Sequence, residues 1–144
     1  MVLRHPLSFR IIALLLLLIG SGSARLDAEP RANSNAIHEG PCAKQVNGRA
    51  VTLEITPRPV RHMQPLLFRV TVEPADNLPP VLTIDFSMPG MYMGENRMKL
   101  VRTAPGVWEG RGVIVRCMSG RKLWQIKVLS PELGNPAFSF DVRD

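Results

Sequence analysis

From position 51 onward, apolar residues fall on alternate positions. Val51, Leu53 and Ile55 alternate with Thr52, Glu54 and Thr56. Phe68, Val70 and Val72 alternate with Leu67, Arg69 and Thr71, and Leu82, Ile84, Phe86 and Met88 alternate with Thr83, Asp85 and Ser87. Trp124, Ile126 and Val128 repeat the pattern, as do Phe138, Phe140 and Val142. Successive side chains of a strand point to opposite faces, so a period of two marks strands with one buried face. Two further strands are expected at Met98 to Arg102 and Val107 to Cys117. In the second, Gly110 and Gly112 separate Trp108 from Ile114 and point to a bulge or a close backbone approach. Pro57, Pro59, Pro74, Pro79–Pro80, Pro105–Gly106, Ser119–Gly120, Pro131 and Gly134 punctuate these runs. About seven short strands without a helical period predict an all-β protein. An immunoglobulin-like antiparallel β-sandwich is the expected architecture, with a small closed barrel as the alternative. Trp108 and Trp124 are expected in the core.

The N-terminus breaks this pattern. Arg4, His5 and Arg10 precede nine consecutive apolar residues, Ile11 to Ile19, and then Gly20, Ser21, Gly22, Ser23 and Ala24. This is the layout of a signal peptide over residues 1–24, with cleavage expected after Ala24. The run falls short of the roughly 20 residues a spanning helix needs, so no stable membrane anchor is expected after cleavage. Residues 25–41 are poor in apolar side chains and read as a flexible leader. The folded domain is expected over 42–144, in a periplasmic or secreted location.

Charge adds little. The chain carries a formal net charge of +6, two arginines of which lie in the segment expected to be removed. No run of Lys and Arg is long enough for a nucleic-acid surface. Export does change the reading of Cys42 and Cys117, the only two cysteines. In an oxidising compartment such a pair is expected to form a structural disulfide. It would close a loop of about 75 residues, worth about 4 kcal/mol in the chain-entropy model.

The chemistry-bearing stretch is 86–98, Phe-Ser-Met-Pro-Gly-Met-Tyr-Met-Gly-Glu-Asn-Arg-Met, which holds four of the seven methionines. A thioether is a soft ligand suited to Cu(I), and it is also an adaptable apolar filler. Met88 continues the inward face of Leu82, Ile84 and Phe86, and Met98 shares a strand with Leu100, so both are expected in the core. Met91 and Met93 remain, with His62 and Met63 as the nearest candidates to complete a copper site. Catalysis has no comparable signature. There is no Gly-x-Ser-x-Gly, no His-Glu-x-x-His and no phosphate loop, and the carboxylates Asp85 and Glu95 flank the turn singly. A non-enzymatic role is expected.

The series Met88–Pro89–Gly90–Met91–Tyr92–Met93, then Gly106–Val107–Trp108–Glu109–Gly110, then Gly120–Arg121 with Trp124, resembles the YtkA-like domain. That family is related to the FixH proteins found with bacterial cytochrome oxidase assembly. The resemblance covers about Val51 to Leu129. It implies a small exported or membrane-anchored immunoglobulin-like sandwich associated with copper handling near respiratory oxidases. Met88, Met91 and Met93 match the family's turn, and Gly106, Gly120 and Trp124 its structural positions. Two features depart from it: the Cys42/Cys117 pair, and an apolar N-terminal run too short for the FixH type of anchor.

Two functions follow as expectations. One is a copper carrier or assembly helper using Met91 and Met93 with His62 or Met63. The other is a metal-free interaction module whose methionine turn contacts another envelope protein.

Overall fold

The computed structural model describes residues 34–144. The expected signal peptide over 1–24 and the leader up to residue 33 lie outside the described residues. Eight strands follow: β1 (Cys42–Val46), β2 (Arg49–Thr56), β3 (Leu66–Glu73), β4 (Val81–Ser87), β5 (Arg97–Ala104), β6 (Val107–Gly112), β7 (Leu123–Leu129) and β8 (Ala137–Asp141). One helical turn, α1 (Ala36–Glu39), precedes them, and a 3-10 turn spans Pro131–Leu133. Among the described residues no helix is long and apolar enough to cross a membrane.

All neighbouring strands are antiparallel, in the order β1-β2-β3-β6-β5-β4-β7-β8. The all-β antiparallel class is therefore as expected. The strand total is eight, because β1 joins the sheet through a two-residue Asn47–Gly48 turn that pairs Val46 with Arg49. Both turn residues have positive φ, 50° and 73°, the conformation hairpin turns use to match strand twist. The hydrogen bonding runs as one continuous ladder, since β5 pairs with β4 on one side and β6 on the other. The sheet curls until it is nearly barrel-shaped. Past β8, Arg143 bridges Arg61 of the β2–β3 connection, with the Arg143 N–H bonded to Val60 O and the His62 N–H to Arg143 O, both at 2.9 Å.

The alternating residues fill the interior. Val51, Leu53, Ile55, Phe68, Val70, Ile84, Trp108, Trp124, Ile126 and Val128 are fully buried. The Trp108 indole N–H donates to Pro79 O at 3.0 Å, and the Arg102 guanidinium lies 4.5 Å from its ring centroid. Of β5, only Leu100 is fully buried, which explains its weak apolar pattern. Met98, expected in the core, is half-buried and lies over the two glycines of β6. A Cβ built at Gly112 would sit 2.9 Å from Met98 Sδ, and one at Gly110 would sit 2.7 Å from Leu100 Cδ2. The close approach expected at these glycines is present, whereas the register shift of this strand pair lies away from them, where Arg102 and Ala104 of β5 face Trp108 and Val107.

Two expectations need correction. The end of the expected flexible leader, residues 34–41, packs onto the domain, and Ile37 is only 1% exposed. The Asp141 N–H donates to Ser34 O at 3.0 Å, and His38 holds Asp141 O at 2.7 Å through Nε2 and the Val60 N–H at 3.0 Å through Nδ1. A single apolar residue, too little to mark the segment as folded, plugs the open seam beside β8. The expected strand from Val107 to Cys117 stops at Gly112. Its partner β3 begins at Leu66, opposite Gly112, and Pro65 before it has no N–H to extend the ladder. Residues 113–122 form a loop.

Candidate functional site

The methionine turn is built by Met88-Pro89-Gly90-Met91. Proline fixes φ at the second position and Gly90 supplies φ 78° at the third, a combination that favours a type II turn. The Met91 N–H closes it on Met88 O at 3.0 Å. Met88 is 2% exposed, in the core as expected. Beyond the turn the chain alternates once more: Met91 and Met93 are half-buried against the core, and Tyr92 between them is 93% exposed. The Phe86 N–H, bonded to Asn96 O at 2.8 Å, draws the chain back into β5.

The 113–122 loop lies against this turn. The Arg121 guanidinium reaches Pro89 O at 3.4 Å. The Gly120 N–H bonds Cys117 O at 3.0 Å, a turn completed by Gly120 at φ 72°. On the loop's other side, the Met63 N–H donates to Ile114 O and the Val142 N–H to Lys122 O, both at 2.9 Å. Asp144 adds a charged anchor, 2.7 Å from Lys122 Nζ and 3.6 Å from Arg116 Nη2. The Lys122 hydrogen bond, with the charges of Lys122 and Arg116, holds the Asp144 carboxyl below its ordinary range.

These anchors bring Cys117 Sγ to 3.9 Å from Met91 Sδ. Sγ also lies 3.0 Å from Ser119 Oγ. Hydrogen bonding from the Ser119 hydroxyl and backbone, with the charge of Arg121, lowers the Cys117 thiol pKa. Cys42 sits elsewhere, in an apolar cleft of about 270 Å³ between β1 and β8 that Ile37, Phe138 and Phe140 also line. Burial raises its thiol pKa. The expected Cys42–Cys117 disulfide is not formed: both are free thiols, one at the seam and the other on the methionine turn.

The expected companions of Met91 and Met93 are engaged differently. His62 is buried, and its Nε2 accepts the indole N–H of Trp124 at 3.3 Å. That bond assigns the proton to Nδ1, which points at Asp144 Oδ1 from 3.5 Å, too far for a well-formed hydrogen bond. The ring's only lone pair is thus committed inside the protein. Met63 is 64% exposed, at φ 58°, and joins the loop through its backbone. What the fold sets beside Met91 is Cys117, which sequence reasoning assigns to a bridge. No local spacing marks it, because the contact spans two loops 26 residues apart. Among the described residues, no three His, Cys, Asp or Glu side chains converge as metal ligands.

No protein-family model matches the chain, and no curated protein or solved structure shows significant similarity to it.

Proposed function

We propose that this is an exported, non-enzymatic protein that binds copper as Cu(I) at the 88–93 turn, in metal handling or oxidase assembly in the cell envelope. The supporting observation is the division of labour in the turn. Met88 is absorbed by the core, whereas Met91 and Met93 stay half-buried at its rim on either side of an exposed Tyr92. Thioethers there are soft donors, open enough for an ion to reach and fixed enough to receive it. In this reading the domain is an immunoglobulin-like sandwich whose two layers come from the curling of its one antiparallel sheet. The YtkA-like resemblance and the signal-like N-terminus support a location outside the cytoplasm.

The test is a Cu(I) titration of the purified, reduced protein in competition with a chromophoric chelator. One equivalent bound per chain is expected, and its loss in the Met91→Leu, Met93→Leu double variant. No retained copper in the unaltered protein would end this reading.

A second reading has its own observation. Tyr92 and Met118, each next in sequence to one of the two touching sulfur residues, are almost fully solvent-exposed. Such side chains suit an adaptable contact with another envelope protein, without metal. Its signature is a partner captured from envelope extract by the unaltered protein and lost with Tyr92→Ser and Met118→Ser, regardless of copper.

A further inference from the structure

We propose that Cys117 is a ligand of this site: Cys117 Sγ and Met91 Sδ form a thiolate–thioether pair that binds one Cu(I), with a third coordination position left open. This rests on the reading of the turn as a soft-metal site, and it replaces the imidazole of His62 with a thiolate.

The geometry is specific. Two sulfurs each about 2.3 Å from one ion, in trigonal or tetrahedral arrangement, lie about 3.8–4.0 Å apart. Met91 Sδ and Cys117 Sγ are 3.9 Å apart. A linear two-coordinate ion would need them about 4.6 Å apart at the same bond length, so the observed spacing fits a bent pair with room for a third donor. In the thiol form the same spacing is a weak S–H contact to the thioether, and the pair is preformed without any cation.

The pair is also held from both sides. The turn is closed by the Met91–Met88 bond, and the loop is tied to it by Arg121 on Pro89 O. On the far side the loop is fastened through Ile114 and Lys122. Ligands fixed before binding lose little conformational freedom when the ion arrives. Both residues are half-buried, so the ion has a route in.

Charge supports a thiolate over a second thioether. A monovalent cation placed half-buried between two neutral sulfurs is uncompensated, whereas a cation with one thiolate is neutral overall. Binding forms the Cu–Sγ and Cu–Sδ bonds and breaks the Sγ–H bond. The proton leaves to solvent, and copper stays in the +1 state throughout. The open third position lets an incoming sulfur donor attach before Met91 or Cys117 lets go, which is what a carrier needs for ligand exchange.

The experiment is an anaerobic Cu(I) titration of the purified, reduced protein and of the Cys117→Ser, Cys42→Ser and Met91→Leu, Met93→Leu variants. It reads affinity, thiolate-to-copper charge-transfer absorption and proton release. The unaltered protein and Cys42→Ser are expected to bind one ion, release one proton and show the absorption. Cys117→Ser should lose the absorption and the proton, and weaken binding beyond the roughly 10–100-fold that outer-shell partners cost. A measurement without substitution guards against misfolding: Cu(I) should protect Cys117, and not Cys42, from iodoacetamide. If Cys117→Ser binds as tightly as the unaltered protein while the double methionine variant does not, Cys117 is no ligand and the turn reading survives. Equal alkylation of Cys117 in copper-free and copper-loaded protein likewise removes Cys117 from the ligand set. If the unaltered protein binds no Cu(I), both readings fall.

Discussion

The indole N–H of Trp124 donates to His62 Nε2 at 3.3 Å within the core. This couples the middle of the β2–β3 connection to β7 and takes from His62 the lone pair a metal would need. His62→Ala leaves a buried N–H without a partner, which costs about 1–3 kcal/mol. Thermal melting should fall by several degrees. Cu(I) affinity should stay unchanged in the folded variant. A selective loss of copper binding without loss of stability would return His62 to the ligand set.

The two thiols should differ in reactivity. The thiolate is the nucleophile, so a thiol made more acidic reacts faster near neutral pH. Cys117 lies below the ordinary value of 9.0 because of its Ser119 hydrogen bonds, and Cys42 lies above it because of burial. Mass spectrometry after brief iodoacetamide exposure at neutral pH should find Cys117 modified first. Raising the pH through 9 should narrow the gap. Preferential labelling of Cys42 would contradict both environments.

Gly110 carries a packing constraint. A Cβ there would meet Leu100 Cδ2 at 2.7 Å and Lys99 O at 2.9 Å, and the second is backbone that cannot rotate away. Gly110→Ala should cost about 1–3 kcal/mol, as overpacking does. Chemical denaturation would show the shift in midpoint. An unchanged midpoint would mean that β5 and β6 separate freely at this point.

The charged outer face should matter much less. Arg69 pairs across strands with Glu109 at 2.6 Å and Glu54 at 3.1 Å, and Glu54 also holds Arg58 at 2.8 Å. The Arg69 side chain is 42% exposed, so solvent screens the network. Arg69→Met should cost no more than about 1 kcal/mol, and the difference should shrink in about 1 M salt. A larger, salt-independent loss would show that the Arg69 stem packs more than it pairs.

Asp144 gives the loop an acid-sensitive anchor. Lys122, Arg116 and His62 face its carboxylate. Its folded pKa lies below the ordinary 3.8, chiefly through Lys122. The native state therefore favours the charged form. The stabilisation is complete above the unfolded value and disappears as pH falls through the lower folded one. Amide exchange in 113–122 should accelerate on acidification below about pH 4, and Asp144→Asn should show fast exchange already at neutral pH. Equal exchange in both proteins at neutral pH would assign the loop's order to its backbone bonds alone.

The strands are legible in the sequence wherever one face is buried and the other is wet. Leu82 to Met88 and Trp124 to Val128 carry that contrast residue by residue, and they form β4 and β7 as expected. β1 is not legible, because Ala43, Lys44 and Gln45 are all exposed and leave no period to read. The Asn47–Gly48 pair is the available sign of a hairpin there. The folded segment 34–41 hides behind a single apolar residue, Ile37. The site is half legible. Proline, glycine and the spacing of thioethers separate Met91 and Met93 from Met88. Their neighbour cannot be read, since Cys117 reaches Met91 only where Arg121 ties the 113–122 loop to the turn and Asp144 anchors that loop from its other side.

The doubly paired strand β5 has a consequence for how the chain reaches this structure. It joins β4 and β6 into one meander, which can assemble from short-range hairpins. Completing the sheet then requires β3 to find β6 and β4 to find β7, each across long stretches of intervening chain. Such distant pairings slow folding to the millisecond-to-second range typical of all-β domains. Until β4 meets β7, the 113–122 loop hangs from β6 alone, so Cys117 is set against Met91 only when that distant pairing closes.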